Sequence, residues 1–436
     1  MTAAATHARE PLTALDAAWL HMDRPGNTAD VVGLLALSGP LTVSALLRLL
    51  EERLLVHRRF RQRVHPELLG PGAWEDDPAF ALSRHVILHR LPDGGAALRK
   101  LVGSVASEPL PHGGSPWVVH LASTGGRSSL VLKLQHAMGD GFALVGVLLS
   151  LCDEALSAGP SPAVPAPPAA VAAAARLAPP ELAARSAAAL ARLAGLAPDP
   201  ATPLTRPTSG VRRVAWTRGL PVAPLRAAAR HAGAGLNDLL VAAVAGGLRR
   251  VLAREVAGVD RLSLRALVPV NLRRHFPGTA GEAPLGNRFG LVFLELPVGE
   301  RAPLARLRAV QARMAELKAS LDPVVTAGVL SGLGRCPPAL EHVAADFFAR
   351  RASLVLSSVP GPPVRLHLAG RRIDGAMFCV PHPATLGLGV SLLRYAGEVR
   401  LAVRADAAAL EHPLALVRAV EQELAGFLAG GARASA

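Results

Sequence analysis

The stretch "KLQHAMGDGFALVG" (133–146) holds the residues best suited to chemistry: His136, Asp140 four positions on, and Gly141 directly after it. A neutral imidazole can take a proton from a hydroxyl as that oxygen attacks an acyl carbon. It can then return the proton to the leaving group, a contribution of about 10²–10⁴-fold. Such a base needs no covalent intermediate. The chain has no G-x-S-x-G elbow and no cysteine in a recognisable nucleophile setting. The same spacing equally fits a core histidine beside a helix cap, because Asp is a favoured N-cap residue. A metal site at this pair would need at least one further ligand, and the sequence offers no obvious one.

The flanking elements must hold this turn. "SSLVLKLQ" (128–135) alternates, with Leu130, Leu132 and Leu134 on one face. It reads as a strand that delivers His136 at its end and puts Gln135 on the face opposite His136. Asp140 stands where a helix over 142–152 would begin, and Gly141 permits a tight turn or close backbone approach. That helix is apolar nearly all round and is expected to be buried. Segments 43–55, 304–321 and 413–429 have helical apolar spacing, and 236–253 reads as a buried helix. Segments 261–270, 287–296 and 352–359 read as strands, and 387–406 as strands turning at Ala396-Gly397. Helices and strands do not alternate strictly, which predicts mixed sheets with helices packed on them. Residues 158–208 are Pro-rich at the ends and Ala-rich in the middle, a linker with a helix at 180–196. It divides the chain into halves 1–157 and 209–436.

At 436 residues, half of them apolar, the chain can bury two or three sizeable cores. The net charge of +14 is carried almost wholly by Arg, with Lys only at 100, 133 and 318. With the Ala, Gly and Pro excess this matches GC-rich coding, so the charge does not argue for nucleic acid. It still favours anionic partners such as phospholipid headgroups or a polyphosphate. Cys152, Cys336 and Cys379 are far apart, which argues against a zinc site or disulfide framework and suits a reducing, cytoplasmic setting. No leader peptide is evident, and the longest apolar run, 142–152, is much shorter than the ~20 residues a membrane span needs.

The segment around His136 resembles the HHxxxDG motif of the wax ester synthase/diacylglycerol acyltransferase family, within the CoA-dependent acyltransferase superfamily. Other segments resemble that family in order along the chain. They are "PLTALDAAWLHMDRPGN" (11–27), "GAWEDDPAFALSRHVILHRLPDGG" (72–95), "SPWVVHLAS" (115–123) and "GLNDLLVAAVAGGLRR" (235–250). "LVPVNLR" (267–273), "LGNRFG" (285–290), "LSSVPGPPVRLHLAG" (356–370) and "YAGEVRLAVRAD" (395–406) follow. The resemblance covers nearly the whole chain outside the linker. It implies an α/β (α+β) fold of two chloramphenicol-acetyltransferase-like lobes, mixed sheets flanked by helices, with a substrate channel between them.

The resemblance also implies roles. His136 matches the motif's second, catalytic His. Asp140 matches the motif's Asp, which in the superfamily points away from substrate and pairs with an Arg. Arg273 is the candidate partner, a surface Arg being the alternative. Gly141 matches the motif Gly as a structural residue. Asn237 and Asp238 match an Asn-Asp pair; Asn237 either orients His136 or the acceptor, or caps the helix that follows. Ser357 and Ser358 match a Ser-Asn pair before Pro-Gly-Pro. A hydroxyl there either donates to a tetrahedral oxyanion or serves the turn. Gln135 replaces the motif's first His and Ser358 its Asn. A Gln supplies donors and acceptors, so activity is expected to survive with altered acceptor preference or efficiency.

The implied activity is transfer of a long fatty acyl group from acyl-CoA, as co-substrate, to diacylglycerol or a fatty alcohol, with no metal or bound cofactor. Acylation of a polyketide or glycolipid hydroxyl is an alternative. So is a non-catalytic acyl-CoA- or lipid-binding protein, which only Gln135 favours. Substrates greasy at both ends suit a channel lined by Leu, Val and Ala. They also suit peripheral contact with an anionic membrane, the inner face of the plasma membrane, or a lipid droplet. "HRRFRQRV" (57–64), the densest basic run, is read as a contact for lipid or CoA phosphates or as a solvated helix end. The helix at 180–196 is read as an interfacial helix or a plain connector.

Overall fold

The alternating run before His136 forms a long strand, and the other expected strands assemble around it into two large sheets. The computed structural model describes residues 9–24, 26–65, 72–154, 178–273 and 285–434. In chain order the first strands are β1 (Glu10–Pro11), β2 (Asp30–Leu37), β3 (Gln62–His65), β4 (Ala73–Asp76), β5 (Val86–Arg90), β6 (Trp117–Thr124) and β7 (Arg127–Gln135). Then come β8 (Arg212–Trp216), β9 (Leu220–Pro221), β10 (Leu264–Asn271), β11 (Phe289–Leu296) and β12 (Leu354–Pro360). β13 (His367–Leu368), β14 (Arg371–Cys379), β15 (Leu388–Tyr395) and β16 (Glu398–Asp406) complete them. The helices are α1 (Ala14–His21), α2 (Val43–Leu49), α3 (Gly95–Ser107), α4 (Gly141–Leu151), α5 (Pro179–Ala194) and α6 (Val222–His231). They continue as α7 (Leu236–Leu252), α8 (Pro303–Lys318), α9 (Asp322–Leu333), α10 (Pro338–Ala349) and α11 (Pro413–Ala434).

One sheet runs β13-β14-β2-β7-β6-β5 and the other β11-β10-β12-β15-β16-β8, with β9 also on β16. Both are mixed: β5 lies parallel to β6, and β12 lies parallel to β10 and β15, while the remaining pairs are antiparallel. Helices α6, α7, α8 and α11 cover one face of the second sheet and share its core. A small third sheet, β1-β4-β3, stands apart.

The structure departs from the sequence reading in four places. β13 and β14, from the second half of the chain, pair into the first half's sheet, with β14 antiparallel to β2. A single cut between 157 and 209 therefore does not separate the two sheets. The helix expected over 43–55 ends as α2 at Leu49 and continues as a wider π-helical turn, Leu50–Leu54. Helix α4 buries only Ala143, Val147 and Leu151. Its other apolar residues, such as Leu144 and Leu148, are partly buried against the core and also line a cavity. Helices α9 and α10 were not expected.

The basic run is answered from inside the chain. Arg58 pairs with Asp76 (2.9 Å), Arg63 with Glu75 (2.8 Å), and Arg59 with Glu10 while lying 4.3 Å over the Trp74 ring. Its positions form a short 3-10 helix and β3 rather than a solvated helix end. In the linker, α5 rests on α9 through buried Ala189 and Leu193 and an ion pair from Arg192 to Asp322. Among the described residues no helix is long and apolar enough to cross a membrane.

Candidate active site

Strand β7 ends at Gln135, and His136 opens a 3-10 turn, His136–Met138. The His136 N–H donates to Ala29 O (3.0 Å), and Gly139 N–H closes the turn onto His136 O (3.1 Å). The imidazole is 7% exposed. It stacks on the Trp19 ring of α1 (centroids 4.1 Å apart, planes 20° apart) and meets Phe289 edge-on at 5.8 Å. Nδ1 is sealed from solvent without a partner among the described residues, which leaves Nε2 as the edge a substrate can reach. Burial pulls the His136 pKa down to about 4, against smaller opposing effects from Asp140, its own carbonyl and Asn287. The ring is therefore neutral at pH 7 and keeps a lone pair for a proton, as a general base requires.

Asp140 makes no hydrogen bond to the imidazole. Its Oδ1 accepts from Phe142 N–H (3.1 Å) and Ala143 N–H (3.0 Å), capping α4, and from Arg273 Nη2 (2.8 Å). Its Oδ2 accepts from Arg288 N–H (3.0 Å). Arg273 Nη2 also donates to Gly286 O (2.7 Å). The expected Asp140–Arg273 contact is thus present, and it clamps the His136 turn to the 285–288 segment of the other half. Gly141 sits where a Cβ would come 3.1 Å from Val359 Cγ2 on β12, so the start of α4 approaches the second sheet closely there.

Besides Trp19 and Phe289, two polar residues at the site are not singled out by the sequence: Asp16 and Asn287. Asn287 Nδ2 donates to His136 O (2.8 Å) and to Asp16 Oδ1 (2.8 Å), which also accepts Asn287 N–H (2.9 Å). All three residues are buried. Gly286, at φ +103°, lets the chain turn into this contact. Both lie in segments that carry the family resemblance, "PLTALD" and "LGNRFG", so the signal existed, but nothing local joins positions 271 residues apart. Asn287→Ala is expected to destabilise the fold by about 1.5–3 kcal/mol, as for loss of a hydrogen bond to a charged group. The transfer rate should fall about tenfold as the turn loosens. Urea unfolding and kcat on the purified variant check both, and a wild-type rate would show the carbonyl tether to be idle.

Gln135 is buried and closer to the chemistry than its strand phase suggests. Its Oε1 caps the His136–Met138 turn at Ala137 N–H. Its Nε2 donates to Trp19 O (3.2 Å) and Asp23 Oδ2 (3.3 Å), supporting the residue on which His136 stacks. Ser357 is buried on the β12 face it shares with Val359, whereas Ser358 points the other way and is exposed. Asn237 and Asp238 are not brought to His136. Asp238 reaches back to accept Gly235 N–H (3.1 Å) at the start of α7, and both residues sit half-buried in that first turn.

Two apolar cavities reach residues beside the His136 turn. One lies between β2, β7, β14 and α4 and reaches Gly141 and Val359. The other lies under α9 and α10 and reaches Trp19, on which His136 stacks. A buried, neutral imidazole close to two greasy cavities can promote attack of a hydroxyl on an acyl carbon with a long chain on either partner. Among the described residues no cluster of His, Cys, Asp or Glu is arranged to hold a metal ion.

Comparison with known proteins agrees with this geometry. Residues 12–199 match the wax ester synthase/diacylglycerol acyltransferase catalytic domain, and residues 285–427 match the WS/DGAT C-terminal domain. A putative diacylglycerol O-acyltransferase of Mycobacterium bovis is 29% identical over 455 residues, covering 96% of each chain. A probable diacylglycerol O-acyltransferase of Mycobacterium tuberculosis matches equally well. Among solved structures, a wax ester synthase/diacylglycerol acyltransferase from Marinobacter aquaeolei VT8 superposes with a TM-score of 0.69 at 20% identity. That match covers 97% of this chain and 100% of that one. The first condensation domain of the calcium-dependent antibiotic synthetase, in complex with a substrate analogue, gives a TM-score of 0.60 at 18% identity, covering 97% and 96%. Both likenesses are of the two-lobed fold. Arriving in the same order as the site geometry, these matches place the chain in the wax ester synthase/diacylglycerol acyltransferase family.

Proposed function

We propose that the protein transfers a long-chain fatty acyl group from acyl-CoA to the hydroxyl of diacylglycerol or a fatty alcohol while resting on a membrane or lipid-droplet surface. His136 Nε2 takes the acceptor's proton as its oxygen attacks the thioester carbonyl. The tetrahedral oxyanion receives a hydrogen bond from the Ser357 hydroxyl. Collapse breaks the C–S bond, and the CoA thiolate leaves with the proton held by His136. Ester and free CoA are the products, and no acyl-enzyme forms.

The observation that carries this reading is the neutral, buried His136 stacked on Trp19, with one apolar cavity reaching Trp19 and another reaching Gly141. The names of the mycobacterial relatives support the acceptor class. Asp140, Gly141, Arg273, Asn287 and Gln135 are positioning residues in this scheme: they hold the turn and the Trp19 stack, and touch no reacting atom. The test is ester formation from labelled palmitoyl-CoA with diolein and with hexadecanol. Ester with either acceptor supports the reading; palmitoyl-CoA binding without product would sink it and favour a binding protein.

A further inference from the structure

Helices α9 and α10 form a hairpin with exposed apolar side chains on its outer surface. From Pro323 to Gly334 the chain reads "PVVTAGVLSGLG", with no ionisable side chain. Gly328 and Gly332 are exposed, with open space beyond them. On α10, Leu340 and Val343 are 54% and 65% exposed, and half-buried Phe347 follows at helical spacing on the same side. Contiguous exposed aliphatic residues of this kind mark a surface that meets something apolar.

The charges on the hairpin are sorted. Its acidic residues all have partners: Asp322 pairs with Arg192, Asp346 pairs with Arg24 (2.8 Å), and Glu341 is hydrogen-bonded to His21 (3.0 Å). Arg335, Arg350 and Arg351 have no carboxylate partner among the described residues. Arg335 and Arg350 are exposed, and Arg351 lies 3.4 Å over the Phe347 ring. The outer face is thus an apolar centre with a cationic rim, the pattern that suits a layer of anionic headgroups over hydrocarbon. The hairpin's inner face faces the chemistry. Val329, Leu330 and Leu333 of α9 and Ala345 and Phe348 of α10 line the cavity that reaches Trp19, which stacks on His136.

We infer that the outer face of the α9–α10 hairpin docks on an anionic bilayer surface, and that the lipid acceptor passes from the bilayer to His136 through the cavity this hairpin roofs. The docking stands on the hairpin alone, while the identity of what passes rests on the acyltransfer reading. The basic run at 57–64 is a weaker rival surface, because three of its four arginines, Arg58, Arg59 and Arg63, are already paired with carboxylates.

The test compares wild type with the Leu340→Glu/Val343→Glu double variant on vesicles of phosphatidylcholine and phosphatidylglycerol. Vesicle binding by the variant should fall at least about tenfold, and transfer to vesicle-borne diolein should fall with it. Transfer from palmitoyl-CoA to 1-butanol, which arrives through water, should stay at the wild-type rate. Arg335→Gln/Arg350→Gln, made on exposed side chains, should weaken binding to these vesicles but not to pure phosphatidylcholine, as should added salt. It serves as the second probe if the first variant does not fold. Wild-type vesicle binding by both variants overturns the proposal. So does a wild-type dimer that the Glu substitutions dissolve, since the face would then be covered by a second copy. If wild type acylates no acceptor yet binds vesicles through this face, the docking stands and the acyltransfer reading fails.

Discussion

His136→Ala is expected to lower ester formation from palmitoyl-CoA by about 10²–10⁴-fold, with palmitoyl-CoA affinity nearly unchanged. The loss should fall on kcat, because the imidazole gains its charge only as the acceptor's proton moves. The pH profile of the wild type gives a sharper reading. A general base works in its neutral form, so activity fails below its pKa. An ordinary His would lose activity below about 6.5. Burial has pulled His136 down to about 4, so the acid limb of kcat/KM should sit near pH 4 and the rate should stay level from pH 7 to 5. A limb near 6.5 would mean that the base is a more exposed group.

The same burial has a stability cost with a definite sign. Between pH 6.5 and 4 the unfolded chain takes up a proton that folded His136 refuses, so stability is full above the unfolded pKa and drains as pH falls. A shift from 6.5 to about 4 corresponds to about 3 kcal/mol at the low end of that window. His120, also pulled down to about 4 by burial, acts in the same direction. Denaturation of His136→Ala should accordingly show a shallower decline from pH 6.5 to 4 than wild type.

The turn itself was legible in sequence because its determinants are local. Strand alternation delivers His136, and an Asp before an apolar run caps a helix; both lie within the 128–151 segment that forms β7, the turn and α4. Arg273 could be placed beside Asp140 only through the family resemblance, being 133 residues away. What stayed hidden depends on chain crossing. β14 enters the first half's sheet from residues 371–379, and its alternation carries no mark of which sheet it joins. Asp16 and Asn287 meet only because α1 and the start of β11 converge on the His136 turn. For Asn237 the sequence leaves two roles open, orienting His136 or the acceptor and capping the helix; its neighbour Asp238 has a local role, accepting the Gly235 N–H at the start of α7. The arginines of 57–64 looked free because their carboxylates, such as Asp76 and Glu75, arrive from another strand.

Asp140→Ala should cost the fold about 3 kcal/mol, the scale expected when one member of a buried ion pair is removed. The carboxylate accepts four hydrogen bonds: two α4 cap bonds, one from Arg273 and one from Arg288 N–H. Without it the cap is lost, Arg273 keeps its bond to Gly286 O but loses its ion pair with Asp140, and the His136 turn keeps only the Asn287 and Gly286 bonds to the other half. Displacing a base by about 1 Å can cost about 10²-fold in rate, so kcat should fall by that order while the protein is still folded. Asp140→Asn separates the contributions. Its amide oxygen can keep the two cap bonds, but its amide N–H₂ opposes Arg288 N–H and the charge for Arg273 is gone, so its loss should be intermediate. Arg273→Ala should be milder than Asp140→Ala, because Asp140 would retain its three backbone donors. Urea unfolding at pH 7 and kcat on palmitoyl-CoA and diolein, run on all three variants, test this order. If Arg273→Ala proves as damaging as Asp140→Ala, the charge between the two halves, rather than the cap, is what holds His136 in place.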